Sequence, residues 1–153
     1  MGSPERTIMN RLKTVIAGIT TDGGYNYDLS GDDQVLIGGT FLPSRLPSVY
    51  LFGEDTNSSI QAGRTALNSY QRQQLVRIEM WVGHNSTDPA EIHLAPFDAQ
   101  HDLMKAIELD PTLDGNVDSV IMNAQRSSAV RDMPGVAVAV VTLTIAYREV
   151  RGA

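Results

Sequence analysis

The chain has 153 residues and a formal net charge of −6, from 12 Lys+Arg against 18 Asp+Glu. A folded monomer of this size exposes about 7,600 Å² and buries roughly two-thirds of its extended surface, which suffices for one domain. Hydrophobic residues at 42% and charged residues at 20% exclude global disorder. The absence of cysteine excludes disulfides, thiolate catalysis, cysteine-ligated zinc and thiolate-bound iron–sulfur clusters.

Ser3-Pro4-Glu5 has the chemistry of a helix start: a hydroxyl cap, proline in the first turn, then an acid at the positive dipole end. Ile8, Leu12, Val15, Ile16 and Ile19 follow at helical spacing, and Asp22-Gly23-Gly24 marks the stop. Two short strands are expected over Tyr25–Leu29 and Gln34–Ile37, joined by a turn at Ser30-Gly31-Asp32-Asp33. Pro43 and Pro47 punctuate the chain, and Ser48–Phe52 reads as a further strand. From Gly53 to Ser69 the sequence is polar without a sustained period, and a long mobile loop is expected there.

Tyr70–Gly83 alternates clearly, with Val76, Ile78, Met80 and Val82 on one face and Arg77, Glu79 and Trp81 on the other. Asp88-Pro89-Ala90-Glu91 opens a second helix reaching about Leu109, in which Pro96 predicts a kink or a break. Ala99, Leu103, Ala106 and Ile107 make its apolar stripe; Asp98, His101, Asp102 and Lys105 are expected to face outward. Two strands complete the chain, Val117–Gln125 and Val136–Glu149, the latter placing Val141, Leu143, Ile145 and Tyr147 on one face. The order predicts a single α+β domain over residues 1–153: a mostly antiparallel β-sheet with two main α-helices packed on one face.

Catalytic signatures are lacking. His93 and His101 stand eight residues apart with Pro96 between, which is not the i, i+4 spacing of a metal helix and reads as a solvated face. The acids fall mostly in glycine-rich turns, where carboxylates satisfy backbone donors, and Asp28–Asp33 lacks the ligand order of a calcium loop. There is no nucleophile elbow, phosphate-binding loop or dinucleotide fingerprint. The expectation is a protein without enzymatic activity, metal or cofactor.

Two other features stand out. Trp81 falls on the polar face of its strand, where it either packs under a loop of its own chain or anchors a subunit contact. The alternate face of the last strand, Val136, Val138, Val140, Thr142, Thr144 and Ala146, is almost uncharged, so either the chain's own loop or another subunit is expected to cover it. The longest apolar run, Val136–Ile145, is far short of the roughly 20 residues of a membrane-spanning helix. The charged N-terminus is unlike a secretory signal, so a soluble, unexported protein without membrane contact is expected.

The order of elements and several local phrases resemble the tail terminator (tail completion, or neck) proteins of tailed bacteriophages. The phrases are the N-terminal amphipathic helix Ile8–Ile19, the proline-preceded strand Pro47-Ser48-Val49-Tyr50-Leu51-Phe52 and the strand from Gln74 to Val82. To these are added the helix segment Asp102–Ile107 running into Asp110-Pro111-Thr112-Leu113-Asp114-Gly115, and the closing Leu143–Arg148. The resemblance spans residues 4 to 150. The irregular helix at Pro96 and the long 53–69 excursion depart from its pattern.

The resemblance implies a structural virion protein: a homo-oligomeric ring, typically a hexamer, that caps the head-proximal end of the tail tube. Such a ring stops tube polymerisation and joins the tail to the neck or connector. Its partners would be further copies of itself, the tail tube protein, the neck or connector protein and, in a contractile tail, the sheath. Assembly would take place in the host cytoplasm. Six copies would carry a formal charge of −36, six times −6, so that DNA passes without specific binding. Asp28, Asp32, Asp33, Glu54 and Asp55 are the candidate lumen or partner-ring acids, and Trp81 is the candidate subunit-contact residue. The alternatives are another neck or head-completion protein, or a small cytosolic ligand-binding or hydrolytic α+β domain.

Overall fold

The computed structural model describes residues 2–39, 45–60, 69–83, 87–130 and 133–150. Seven elements follow in chain order: α1 (Pro4–Ala17), β1 (Val35–Ile37), β2 (Ser48–Ile60), β3 (Ser69–Gly83), α2 (Pro89–Glu108), β4 (Ser119–Val130) and β5 (Met133–Val150). The five strands form one mixed sheet in the order β1-β2-β3-β5-β4. Only β1 runs parallel to its neighbour; the β2–β3, β3–β5 and β5–β4 pairings are antiparallel.

Each helix starts where its cap chemistry requires. The Ser3 hydroxyl accepts the Arg6 amide at 3.2 Å with proline in the first turn, and the Asp88 carboxylate accepts the Ala90 amide at 3.0 Å. Ile8, Met9, Leu12 and Ile16 then bury one face of α1. From β3, Val76, Ile78, Met80 and Val82 are wholly buried on one face, and Val141, Leu143, Ile145 and Tyr147 of β5 lie in the same layer. Each such leucine or isoleucine contributes about 1.5–3 kcal/mol on leaving water. These residues join Ala99, Leu103, Ala106 and Ile107 of α2 in one core, so both helices pack on a single face of the sheet.

Pro96 does not divide α2, which runs unbroken from Pro89 to Glu108 with the proline ring buried. The missing amide at this position removes one intrahelical hydrogen bond, and burial of the ring in the core opposes that loss. Asp102, expected to face outward, is fully buried. It lies at i+3 from Ala99 and beside Leu103, on the inward stripe, and it binds chain rather than water. Its carboxylate accepts the backbone amides of Asn26 (3.0 Å) and Tyr27 (2.9 Å) and the Asn26 side-chain amide at 3.1 Å. Lys105 is engaged too, donating to the Gly24 carbonyl at 3.1 Å with its amine 4.6 Å from the centre of the Tyr25 ring.

This clamp explains a second departure. Tyr25–Leu29 is not a strand: two of its amides are taken by Asp102, and Leu29 donates to the Ile19 carbonyl at 2.8 Å. With those donors spent, no ladder can form and the expected hairpin reduces to β1 alone. The third departure concerns the excursion from Gly53. It continues β2 as far as Ile60, each residue from Thr56 on facing a partner in β3, after a register shift between Gly53 and Thr56. Ser69 already belongs to β3, and residues 61–68 lie outside the described residues.

Candidate assembly surface

Pairing register defines the face of the sheet turned away from the helices. Phe52, Arg77, Thr142 and Asn123 form one row across β2, β3, β5 and β4, and Tyr50, Glu79 and Val140 form another across β2, β3 and β5. Trp81 faces Ser48 on one side and Val138 on the other, and Leu36 of β1 stands beside Tyr50. The surface is therefore apolar and hydroxylic, with Arg77 and Glu79 at its centre.

Those two charges neutralise one another in place. Arg77 pairs with Glu79 at 3.1 Å and with Glu54 at 2.9 Å, while its guanidinium lies 4.8 Å from the centre of the Phe52 ring. The Trp81 indole N–H donates to Glu79 at 3.4 Å. A charge already paired and stacked costs less to desolvate than a free one, and two carboxylates against one guanidinium leave this cluster a single net negative charge.

Part of the face is covered by the chain itself. Gly39 lies flat on the Tyr50 ring: a Cβ there would sit 2.8 Å from the ring, and its φ is +153°. Leu46 reaches the end of β3 near Gly83. Tyr50, Val136 and Val138 are buried. Farther along the sheet the cover ends: Trp81 and Val140 are half-buried, Leu36 is 37% exposed and Ile121 of β4 is 57% exposed.

The candidate acids do not form one group. Asp28, Asp32 and Asp33 are exposed on the turn before β1, which the buried Gln34 organises. Its side-chain oxygen accepts the Gly31 amide at 2.7 Å, and its nitrogen donates to the carbonyls of Asp28 and Pro47 at 3.0 Å. The Ser30 hydroxyl and amide hold the Asp28 carboxyl below its ordinary range, helped by Arg45. Glu54 lies six strand residues beyond Ser48, about 20 Å away along β2. Engaged with Arg77, it belongs to the apolar face and is not a free acid. The Asp55 side chain lies outside the described residues.

A second feature is a cleft of about 470 Å³ between α1 and the outer strands, lined by Glu5, Arg6, Met9, Asn10 and Ile37. The Tyr147 hydroxyl already donates to Glu5 at 2.6 Å, leaving Arg6 and Asn10 as the polar groups at the rim. Of the histidines, His93 and His101 are exposed on α2, with the His93 ring edge-on to Phe97 at 5.7 Å; His84 lies outside the described residues. Among the described residues no three His, Asp or Glu side chains come together as metal ligands. No described helix is long and apolar enough to cross a membrane.

The comparison with known proteins adds no name to this geometry: neither a protein-family model nor a curated protein matches the chain.

Proposed function

We propose that the chain is the subunit of a ring that closes the head-proximal end of a phage tail tube, stops its growth and joins it to the neck or connector. The observation that carries this reading is the outer face of the sheet. It offers an apolar surface with Trp81 and Ile121 at its open part and, at its centre, Arg77 paired with Glu54 and Glu79. Supporting it are an α+β order of elements that resembles that of tail terminators and an acidic balance suited to a channel that DNA traverses without being held. The activity is association alone, with no turnover. The acids exposed on the turn before β1, Asp28, Asp32 and Asp33, are assigned to the lumen or to a partner ring.

The test is electron microscopy and native mass spectrometry of the purified protein at rising concentration, alone and with tail tubes of its own phage. Closed rings, seated on tube ends where tubes are present, are the expected result. A chain that stays monomeric in both settings overturns the reading.

A further inference from the structure

Two strands of the sheet have open sides among the described residues. β4 pairs with β5 on one side only, and β1 covers the outer side of β2 only along Val49–Leu51, leaving Phe52–Ile60 with a single neighbour. An open strand presents a row of unpaired amides and carbonyls, and chains that must stay apart defend such edges with charges, prolines or bulges. Ser119–Arg126 of β4 is undefended: eight residues in regular register with β5, no proline and one charge, at its end. The register shifts of β4 are confined to the stretch after Arg126. Ile121, at 57% the most exposed large apolar side chain among those described in the sheet, sits on this edge.

Polarity settles which edges fit. Three successive antiparallel pairings, β2–β3, β3–β5 and β5–β4, make β2 and β4 run in opposite directions. A second copy set beside the first in the same orientation therefore brings its β4 antiparallel to β2, the more stable of the two ladder types. A two-fold pairing of β4 with β4 would leave the long edge of β2 open and stop at a dimer, whereas head-to-tail pairing uses both edges and makes a ring when the rotation between copies closes.

We propose that neighbouring copies join head to tail, β4 of one adding antiparallel to the open length of β2 in the next, so that one sheet continues around the ring. The inference rests on the ring reading and adds the contact that builds it. In a flat ring the row Leu75–Thr144–Ile121 places Ile121 of one copy level with Glu54 of the next, beside the register shift of β2.

The absence of native cysteine permits a direct test. Glu54→Cys and Ile121→Cys, both at exposed positions, are made singly and together, and rings are treated with a flexible bis-maleimide that tolerates a slip of one or two residues. The expected result is a ladder of covalent oligomers up to the full ring from the double variant, and loss of the ladder in each single variant. A covalent dimer from Ile121→Cys alone means two-fold β4 pairing and overturns the proposal. Rings that form and alkylate at both thiols without cross-linking overturn the edge contact while the ring reading stands. Failure of the wild-type chain to form rings overturns the ring reading itself.

Discussion

The hydroxyl of Tyr147, close to the end of β5, donates to the carboxylate of Glu5 in the first turn of α1 at 2.6 Å, across 142 positions of sequence. Tyr147 is 1% exposed, so its ring fills the core while its oxygen reaches the rim of the cleft. One side chain thereby fixes the N-terminal helix to the last strand. Tyr147→Phe keeps the ring and loses the bond to a charged acceptor. It should cost about 1–2 kcal/mol in urea unfolding, with the slope against denaturant unchanged.

The same pair predicts a pH dependence. The Tyr147 hydroxyl holds the Glu5 carboxyl below its ordinary 4.5, against the opposing effect of burial. At Asp110 burial alone would raise the pKa; the Asp114 amide and Arg11, at 2.9 Å, outweigh it and hold it below 3.8. Folded-state values below the unfolded ones mean stability present above those pKa values and lost as pH falls through the folded ones. The melting temperature should therefore drop between about pH 5 and pH 3, and Glu5→Gln with Asp110→Asn should flatten that drop.

At the alkaline end the sign reverses. Burial, with Asp98, Glu91 and Asp102 nearby, pushes the Tyr27 hydroxyl up to about 12, and burial with the Glu5 bond raises Tyr147 further. Both favour the neutral phenol in the fold, so stability is present below pH 10 and lost as pH rises toward 12. Ultraviolet titration should show ionisation of these two tyrosines only together with unfolding, and Tyr147→Phe should lessen the alkaline loss.

Asp102 carries the turn that precedes β1. Asp102→Ala would leave the amides of Asn26 and Tyr27 without their acceptor in a closed site and should cost about 3 kcal/mol or more. Hydrogen exchange should accelerate at those two amides ahead of the core strands. Asp102→Asn, which retains one acceptor oxygen, should fall between wild type and alanine.

Gly39 permits the backbone to approach the Tyr50 ring closely. Gly39→Ala would place a methyl group 2.8 Å from the Tyr50 ring at a φ of +153°. The expected cost is about 1–3 kcal/mol, with Tyr50 becoming accessible to nitration. Full stability with a protected Tyr50 would show that the close approach is dispensable.

Periodicity made the framework legible. Alternation in β3 and β5 placed the core of the sheet, and the Ser3 and Asp88 caps placed both helix starts. What escaped were elements whose reason lies elsewhere in the chain. Nothing in Thr56–Ile60 alternates; it is strand because β3 lies opposite. Tyr25–Leu29 looks like a strand and is prevented from being one by a carboxylate 75 and 76 positions away. Asp102 left a readable signal, since it completes the i, i+3, i+4, i+7 pattern of Ala99, Leu103 and Ala106, but a charged residue there was assigned to water. The pairing of Arg77 with Glu54 depends on the register between two strands, which the sequence does not display. Trp81 is half-buried on the face of the sheet turned away from the helices, between Ser48 and Val138.

The Tyr147–Glu5 bond also constrains the order of events at the ribosome. Because β3 takes β5 as a neighbour, the middle of the sheet waits for the last strand, and the first helix cannot find its anchor until Tyr147 emerges. A topology so dominated by distant contacts folds slowly, in the millisecond-to-second range of sheet-rich domains. Nascent copies would thus complete the sheet only once β5 has emerged, and the undefended edge of β4 would be presented to its neighbours only by folded domains.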